Sequence, residues 1–171
     1  KDVLIFKSNG LFEINKKYFK HPKEGVSMSW EGGDPFIENI FSDYMVEVFG
    51  KARSKDEEIT QFHKDLASSI QKVTEELIFH ILNHLQKRTG LKNICIAGGV
   101  AQNSVANGKI LDNTSFEKMY IPPAGHDAGT AIGSALWLYN HIQNNDRIKP
   151  MQHSYFGSQF SDGEIEGFLQ S

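Results

Sequence analysis

A chain of 171 residues has the length of one ordinary domain, enough to bury a real core. Its 18 basic and 21 acidic residues are interspersed and leave a net charge of −3, so no basic stripe marks a nucleic-acid face. A single cysteine excludes an internal disulfide framework, and no apolar run reaches membrane-spanning length, so a reducing cytoplasm is the expected compartment.

Lys1 rather than methionine opens the chain, so a natural start farther upstream is expected. Val3-Leu4-Ile5-Phe6 and Leu11-Phe12-Glu13-Ile14 flank Asn9-Gly10, two residues that tolerate positive φ, and this predicts a β-hairpin. The stretch from His21-Pro22-Lys23-Glu24-Gly25 to Glu31-Gly32-Gly33-Asp34-Pro35 is rich in turn formers and reads as a loop. Phe36, Ile37, Ile40, Phe41, Tyr44, Met45, Val48 and Phe49 follow with the spacing of an amphipathic helix that ends near Gly50.

The longest predicted element is a helix from about Glu57 to Arg88. Ile59, Phe62, Leu66, Ile70, Val73, Leu77, Ile81 and Leu85 form one apolar stripe, and Gly90 supplies the stop. At 1.5 Å per residue it would run roughly 45 Å. His80 and His84 stand four apart on it and could share a face toward a metal. No third ligand with zinc-site spacing accompanies them, so packing is their expected role.

Two strand-to-helix turns come next. The first is Asn93-Ile94-Cys95-Ile96-Ala97-Gly98-Gly99-Val100-Ala101-Gln102-Asn103, and the second is Met119-Tyr120-Ile121-Pro122-Pro123-Ala124-Gly125-His126-Asp127-Ala128-Gly129. Repeated units of this kind predict an α/β sheet with strands covered on both faces, and Cys95 is then an inert core residue. At the carboxyl ends of such strands, backbone N–H groups and helix N-termini face one crevice suited to anions. Spacing alone leaves two readings open, a ligand cradle or two bare connections.

From Asp127 to His141 a helix of small residues is predicted, with Gly129 and Gly133, and Ala131 and Ala135, four apart. Interior glycine costs about 1 kcal/mol against alanine, so tight packing or ligand access should compensate. Residues 144–154 are polar, contain Pro150 and read as a linker. Ser161-Asp162-Gly163-Glu164 has capping-box spacing before Ile165 and Phe168. The signature motifs of serine hydrolases, dithiol redox proteins, P-loop nucleotidases and dinucleotide-binding folds are absent.

Ala97-Gly98-Gly99-Val100-Ala101-Gln102-Asn103, Asn107-Gly108 and Pro123-Ala124-Gly125-His126-Asp127-Ala128-Gly129-Thr130-Ala131-Ile132-Gly133 closely resemble segments of the ATP-dependent O-carbamoyltransferases, the nodulation and antibiotic-tailoring family. Asp65-Leu66-Ala67-Ser68-Ser69-Ile70-Gln71 is similar to a helix of that family, and Tyr155-Phe156-Gly157 with Phe160-Ser161-Asp162 is similar to a downstream segment. The resemblance implies α/β architecture: one ribonuclease-H-like half of an actin/Hsp70/sugar-kinase-type domain, a mixed sheet with packed helices including one long one. Residues 1–145 would be that second half, and 146–171 a linker toward a further domain.

It further implies that ATP and carbamoyl phosphate give a carbamoyl-adenylate, whose carbamoyl group passes to a hydroxyl of a small-molecule acceptor. By position, Gly98, Gly99, Val100 and Asn103 would lie along the nucleotide, with Gly125 and His126 beside it. Asp127 would be the catalytic residue and ligand of a divalent metal, iron or another transition metal. Asp65 and Gln71 are possible pocket residues. The family's HxxxH metal histidines have no counterpart here, and His80 and His84 do not map to them. The missing first half and C-terminal domain are the expected partners, and the chain alone is expected to be inactive. His126 stands where the family usually has glycine, which would narrow the pocket or add a donor to a phosphate. A threonylcarbamoyl-tRNA transferase, another superfamily kinase or ATPase, and a non-catalytic binding module remain alternatives.

Overall fold

The computed structural model describes residues 2–170, so Lys1 and Ser171, the outer ends of the two expected domain spans, lie outside the described residues. In chain order the elements are β1 (Leu4–Phe6), β2 (Phe12–Ile14), α1 (His21–Glu24), β3 (Met28–Glu31), β4 (Asp34–Ile37), α2 (Asp43–Phe49) and α3 (Gln61–Thr89). There follow β5 (Asn93–Cys95), α4 (Ser104–Asn107), α5 (Ile110–Asn113), β6 (Lys118–Tyr120), α6 (Gly129–Trp137) and α7 (Asp162–Leu169). Short 3-10 turns cover Lys16–Tyr18 and Gly99–Gln102, and a π turn covers Leu138–Ile142. The mixed α/β class and the long helix match the sequence expectation. In place of one mixed sheet, the described residues form three separate two-stranded ladders. Their strands are only three or four residues long, cut short by the same glycine, proline and asparagine residues that mark the turns.

The chain gathers into two compact units, Lys1–Lys92 with Gly108–Phe116, and Asn93–Asn107 with Glu117–Ser171. In the first unit β1 and β2 pair antiparallel with Ile5 opposite Glu13, the hairpin expected around Asn9-Gly10. Lys7 and Glu13 close an ion pair across it at 2.9 Å. A second hairpin, β3 with β4, occupies the stretch expected to be loop and the start of the expected Phe36 helix. Gly32 and Gly33 both take positive φ, 61° and 94°, the backbone of a tight two-residue connection. The helix therefore begins only at Asp43, where Ser42 caps it by accepting from the Met45 N–H at 3.3 Å.

Helix α3 starts at Gln61 rather than Glu57, because Arg53 donates to the carbonyls of Ser54, Lys55 and Glu57 and holds that segment as a turn. The Thr60 N–H donates to Nδ1 of His63 at 3.0 Å and fixes the start. Gly90 ends the helix in left-handed geometry, its N–H bonded to Gln86 O at 2.8 Å. The apolar stripe is not the core expected of it: Ile59, Phe62, Ile70, Ile81 and Leu85 are exposed. The buried positions of α3 are Leu82 and Glu75. Both oxygens of Glu75 accept from Lys109 Nζ at 2.8 Å, and Gln71 Nε2 donates at 2.9 Å. These bonds, Lys109 first and Gln71 second, hold the Glu75 carboxyl below the usual carboxylate range. Ile110 and Phe116 are buried in the same unit, as is Tyr18, whose ring packs 5.0 Å from that of Tyr44. Burial, with Tyr44 adding to it, pushes the Tyr18 hydroxyl above its ordinary range.

In the second unit β5 and β6 pair in parallel, with Ile94 opposite Met119, and both expected turns leave their carboxyl ends. Cys95 is exposed, which corrects its expected place in a strand covered on both faces: a two-stranded ladder leaves that side open. The helix expected over Asp127–His141 divides into α6 and the π turn. The Ser161–Glu164 capping box is present, with Ser161 N–H donating to Glu164 Oε2 at 2.7 Å. No helix among the described residues is long and apolar enough to cross a membrane.

Candidate active site

The site grows from the two turns of the β5–β6 ladder. Ile96 N–H donates to Tyr120 O at 3.0 Å, one step beyond the last strand pair. The chain then bends at Gly98 with φ 108° and ψ 172°, a conformation open almost only to glycine. Gly98 N–H donates to Gly125 O at 2.6 Å and ties the first turn to the second. Beyond it, Asn103 Oδ1 accepts from Ala106 N–H at 3.0 Å, and Asn107 Nδ2 donates to Ala101 O at 2.7 Å. These two asparagines lock the loop after the glycine pair.

In the second turn the Thr130 N–H and hydroxyl both donate to Asp127 O, at 3.0 and 2.6 Å. Helix α6 presses against this turn so closely that a Cβ on Gly129 would collide with Ala124 O. That contact explains the glycine at the start of α6, whereas a Cβ on the interior Gly133 would meet nothing within 4 Å. Asp127 does not cap the helix through its side chain. His126 Nδ1 instead accepts from Ala128 N–H at 3.3 Å. The Asp127 carboxylate is exposed and has no hydrogen bond or ion pair among the described residues.

Both turns open on a cavity of about 810 Å³. Of the residues expected at the nucleotide or metal, Gly98, Gly125, His126 and Asp127 line it together, whereas Gly99, Val100 and Asn103 lie outside its lining. Among the walls that the sequence reading missed are Tyr120, Asn140, His141, Arg147 and Lys149. Asn140 leaves its buried Oδ1 without a hydrogen-bond partner, an arrangement that costs roughly 1–3 kcal/mol. Within the segment read as a linker, Met151 O accepts from the Tyr120 hydroxyl at 3.0 Å. The alternation of basic and apolar residues in Arg147-Ile148-Lys149-Pro150 was the available signal for an extended segment lying on the protein.

As a metal centre the site is incomplete. The described residues contain no group of three or more histidine, cysteine, aspartate or glutamate side chains able to hold an ion. Asp127 suits the role of one oxygen ligand, uncommitted and facing the cavity, and further ligands would have to come from outside these residues. The other candidates lie away from this cavity. His80 stacks on Phe6 at 5.2 Å and its Nε2 lies 3.2 Å from Leu11 O, while His84 packs on Gly10. Asp65 accepts from Gln61 at 2.7 Å, and both Asp65 and Gln71 lie outside the cavity lining.

The family profile described as Carbamoyltransferase N-terminus matches residues 2–136. An uncharacterized protein of Synechocystis is 37% identical over 99% of this chain and 26% of its own length. Nodulation protein NolNO of Sinorhizobium fredii is 39% identical over 68% of the chain and 17% of its length. Nodulation protein NolO of Bradyrhizobium diazoefficiens is 41% identical over 63% of the chain and 20% of its length. The chain thus spans about a quarter or less of the curated relatives it matches. With four-fifths of its length inside the profile and both glycine turns within the matched span, the chain belongs to the carbamoyltransferase N-terminal family.

Proposed function

We propose that this chain is the second, ribonuclease-H-like half of the nucleotide-binding domain of an O-carbamoyltransferase. In this reading it helps bind ATP and the carbamoyl-adenylate made from ATP and carbamoyl phosphate, and it presents the carbamoyl group to an acceptor hydroxyl. The observation that carries the reading is the tied pair of turns: Gly98 and Gly125, bonded at 2.6 Å, stand beside Asp127 in one cavity at the carboxyl ends of parallel strands. The exposed backbone at Gly98 leaves room for a ligand to come close, since a Cβ there would meet nothing within 4 Å.

Transfer forms a bond from the acceptor oxygen to the carbamoyl carbon and breaks the bond from that carbon to the adenylate oxygen. AMP leaves, and the hydroxyl proton is lost to a base or to water. Asp127 would hold one face of a divalent ion, iron or another transition metal, whose charge polarises a carbonyl oxygen when bound. Asp127→Asn in the full-length protein tests this reading. Bound metal should fall and transfer should drop on the order of 10²-fold. The melting temperature should hold, because the carboxylate makes no cap bond that asparagine would lose. Normal metal content and turnover in that variant would remove Asp127 from the site.

A further inference from the structure

We propose that Arg147 and Lys149 form a phosphate-binding strap over the cavity, supplying the cationic groups for the phosphates of its ligand. The inference rests on the nucleotide reading of the cavity and assigns its charge recognition to a segment outside the family match, which ends at residue 136. Both side chains belong to residues that line the cavity beside Gly98, Gly125 and Asp127. Neither has an ion-pair or hydrogen-bond partner among the described residues, so both charges are uncommitted.

One hydrogen bond ties the strap to the sheet: the Tyr120 hydroxyl, at the end of β6, donates to Met151 O at 3.0 Å. On its other side the segment Ile148–His153 faces Ile132 and Ala135 of α6 across a second cavity. Charge then selects the ligand. Two cations stand against one carboxylate in the lining, a balance that favours an anion even beside Asp127. An arginine fork beside a lysine matches a phosphoryl group. Asn140 Oδ1, an acceptor without a partner, offers a place for a hydroxyl or amino donor on the same molecule.

The test is calorimetric titration of the full-length protein at low salt with ATP, adenosine and inorganic phosphate. In the double variant Arg147→Gln/Lys149→Gln the Kd for ATP should rise about tenfold or more, while that for adenosine stays within about twofold. The difference should shrink at high salt, as exposed charges are screened. The charge-preserving swap Arg147→Lys/Lys149→Arg should keep most of the ATP affinity. Equal weakening of ATP and adenosine, unchanged ATP affinity, or a swap as damaging as the glutamine pair would each overturn the strap. If wild type binds phosphate and loses it in the glutamine pair, yet binds adenosine no better than buffer, the strap stands and the nucleotide reading falls.

Discussion

Gly98 and Gly99 sit side by side in the sequence and are opposites in the structure. Gly98 holds a backbone conformation that a side chain strains, because its N–H is pulled onto Gly125 O. Gly99 has ordinary φ, and a Cβ placed on it meets nothing within 4 Å. Gly98→Ala is expected to cost about 1–3 kcal/mol, read as a lower denaturant midpoint, while Gly99→Ala should fall within about 0.5 kcal/mol of wild type. Since the space at Gly99 is open, Gly99→Val should also fold, and any rise in nucleotide Kd then reports a ligand against that backbone. Unchanged affinity in a folded Gly99→Val protein would leave this glycine with no part in binding. The glycine run was plain in the sequence, but not which member is strained. That is set by a hydrogen bond to Gly125, 27 positions along the chain. The role of His126 was equally hidden: its Nδ1 accepts from the Ala128 N–H, and nothing in the sequence marks that bond.

Local signals placed most of the elements. Asn9-Gly10 marked the first hairpin, Gly90 the end of the long helix, and Ser161 with Glu164 the last cap. The second hairpin was hidden because Phe36 and Ile37 fit a helical spacing as well as a strand and Pro35 read as a turn former, and pairing with Met28, Ser29 and Trp30 decided it. Tertiary partners also decided what α3 buries. Glu75 lies inside because Lys109, brought over by α5's entry, satisfies it, and no periodicity in α3 could announce that. Its depressed carboxyl pKa gives a signed prediction. The folded state holds the charged form more tightly than the unfolded chain, so the stabilisation is full above the ordinary carboxylate range. It is lost as pH falls through the lower, folded-state value. Glu75→Gln should therefore lower the melting temperature at neutral pH and shrink that gap in acid. Parallel melting curves for the two proteins down to the acid limit, with no convergence, would show that the charge is irrelevant.

On the scale of the whole molecule, fold and chemistry are unequally complete. The second unit builds a walled cavity with tied turns, an uncommitted carboxylate and two uncommitted cations. The first unit leaves much of the α3 stripe open, with Phe62 53% and Ile70 61% exposed. Hydroxyl carbamoylation asks more of a site than this: an ion held by several ligands, a nucleotide enclosed from water, and a proton acceptor beside the attacking oxygen. Here one carboxylate faces the cavity, and the described residues group no set of three metal-ligating side chains. A lone carboxylate binds a divalent ion weakly, so added metal cannot substitute for the missing ligands at ordinary concentrations. The 171-residue chain by itself is therefore expected to transfer no carbamoyl group above the uncatalysed rate. The measurement supplies ATP, carbamoyl phosphate, ferrous iron or manganese, and a panel of hydroxyl acceptors, and follows product by mass. Weak ATP binding by the same sample, lost in the Arg147 and Lys149 variants, would show that the cavity is formed while the chemistry is not. Robust product from the chain alone would mean that these residues contain the whole transfer site, and the assignment of the remaining ligands to other parts of the full-length protein would have to be abandoned.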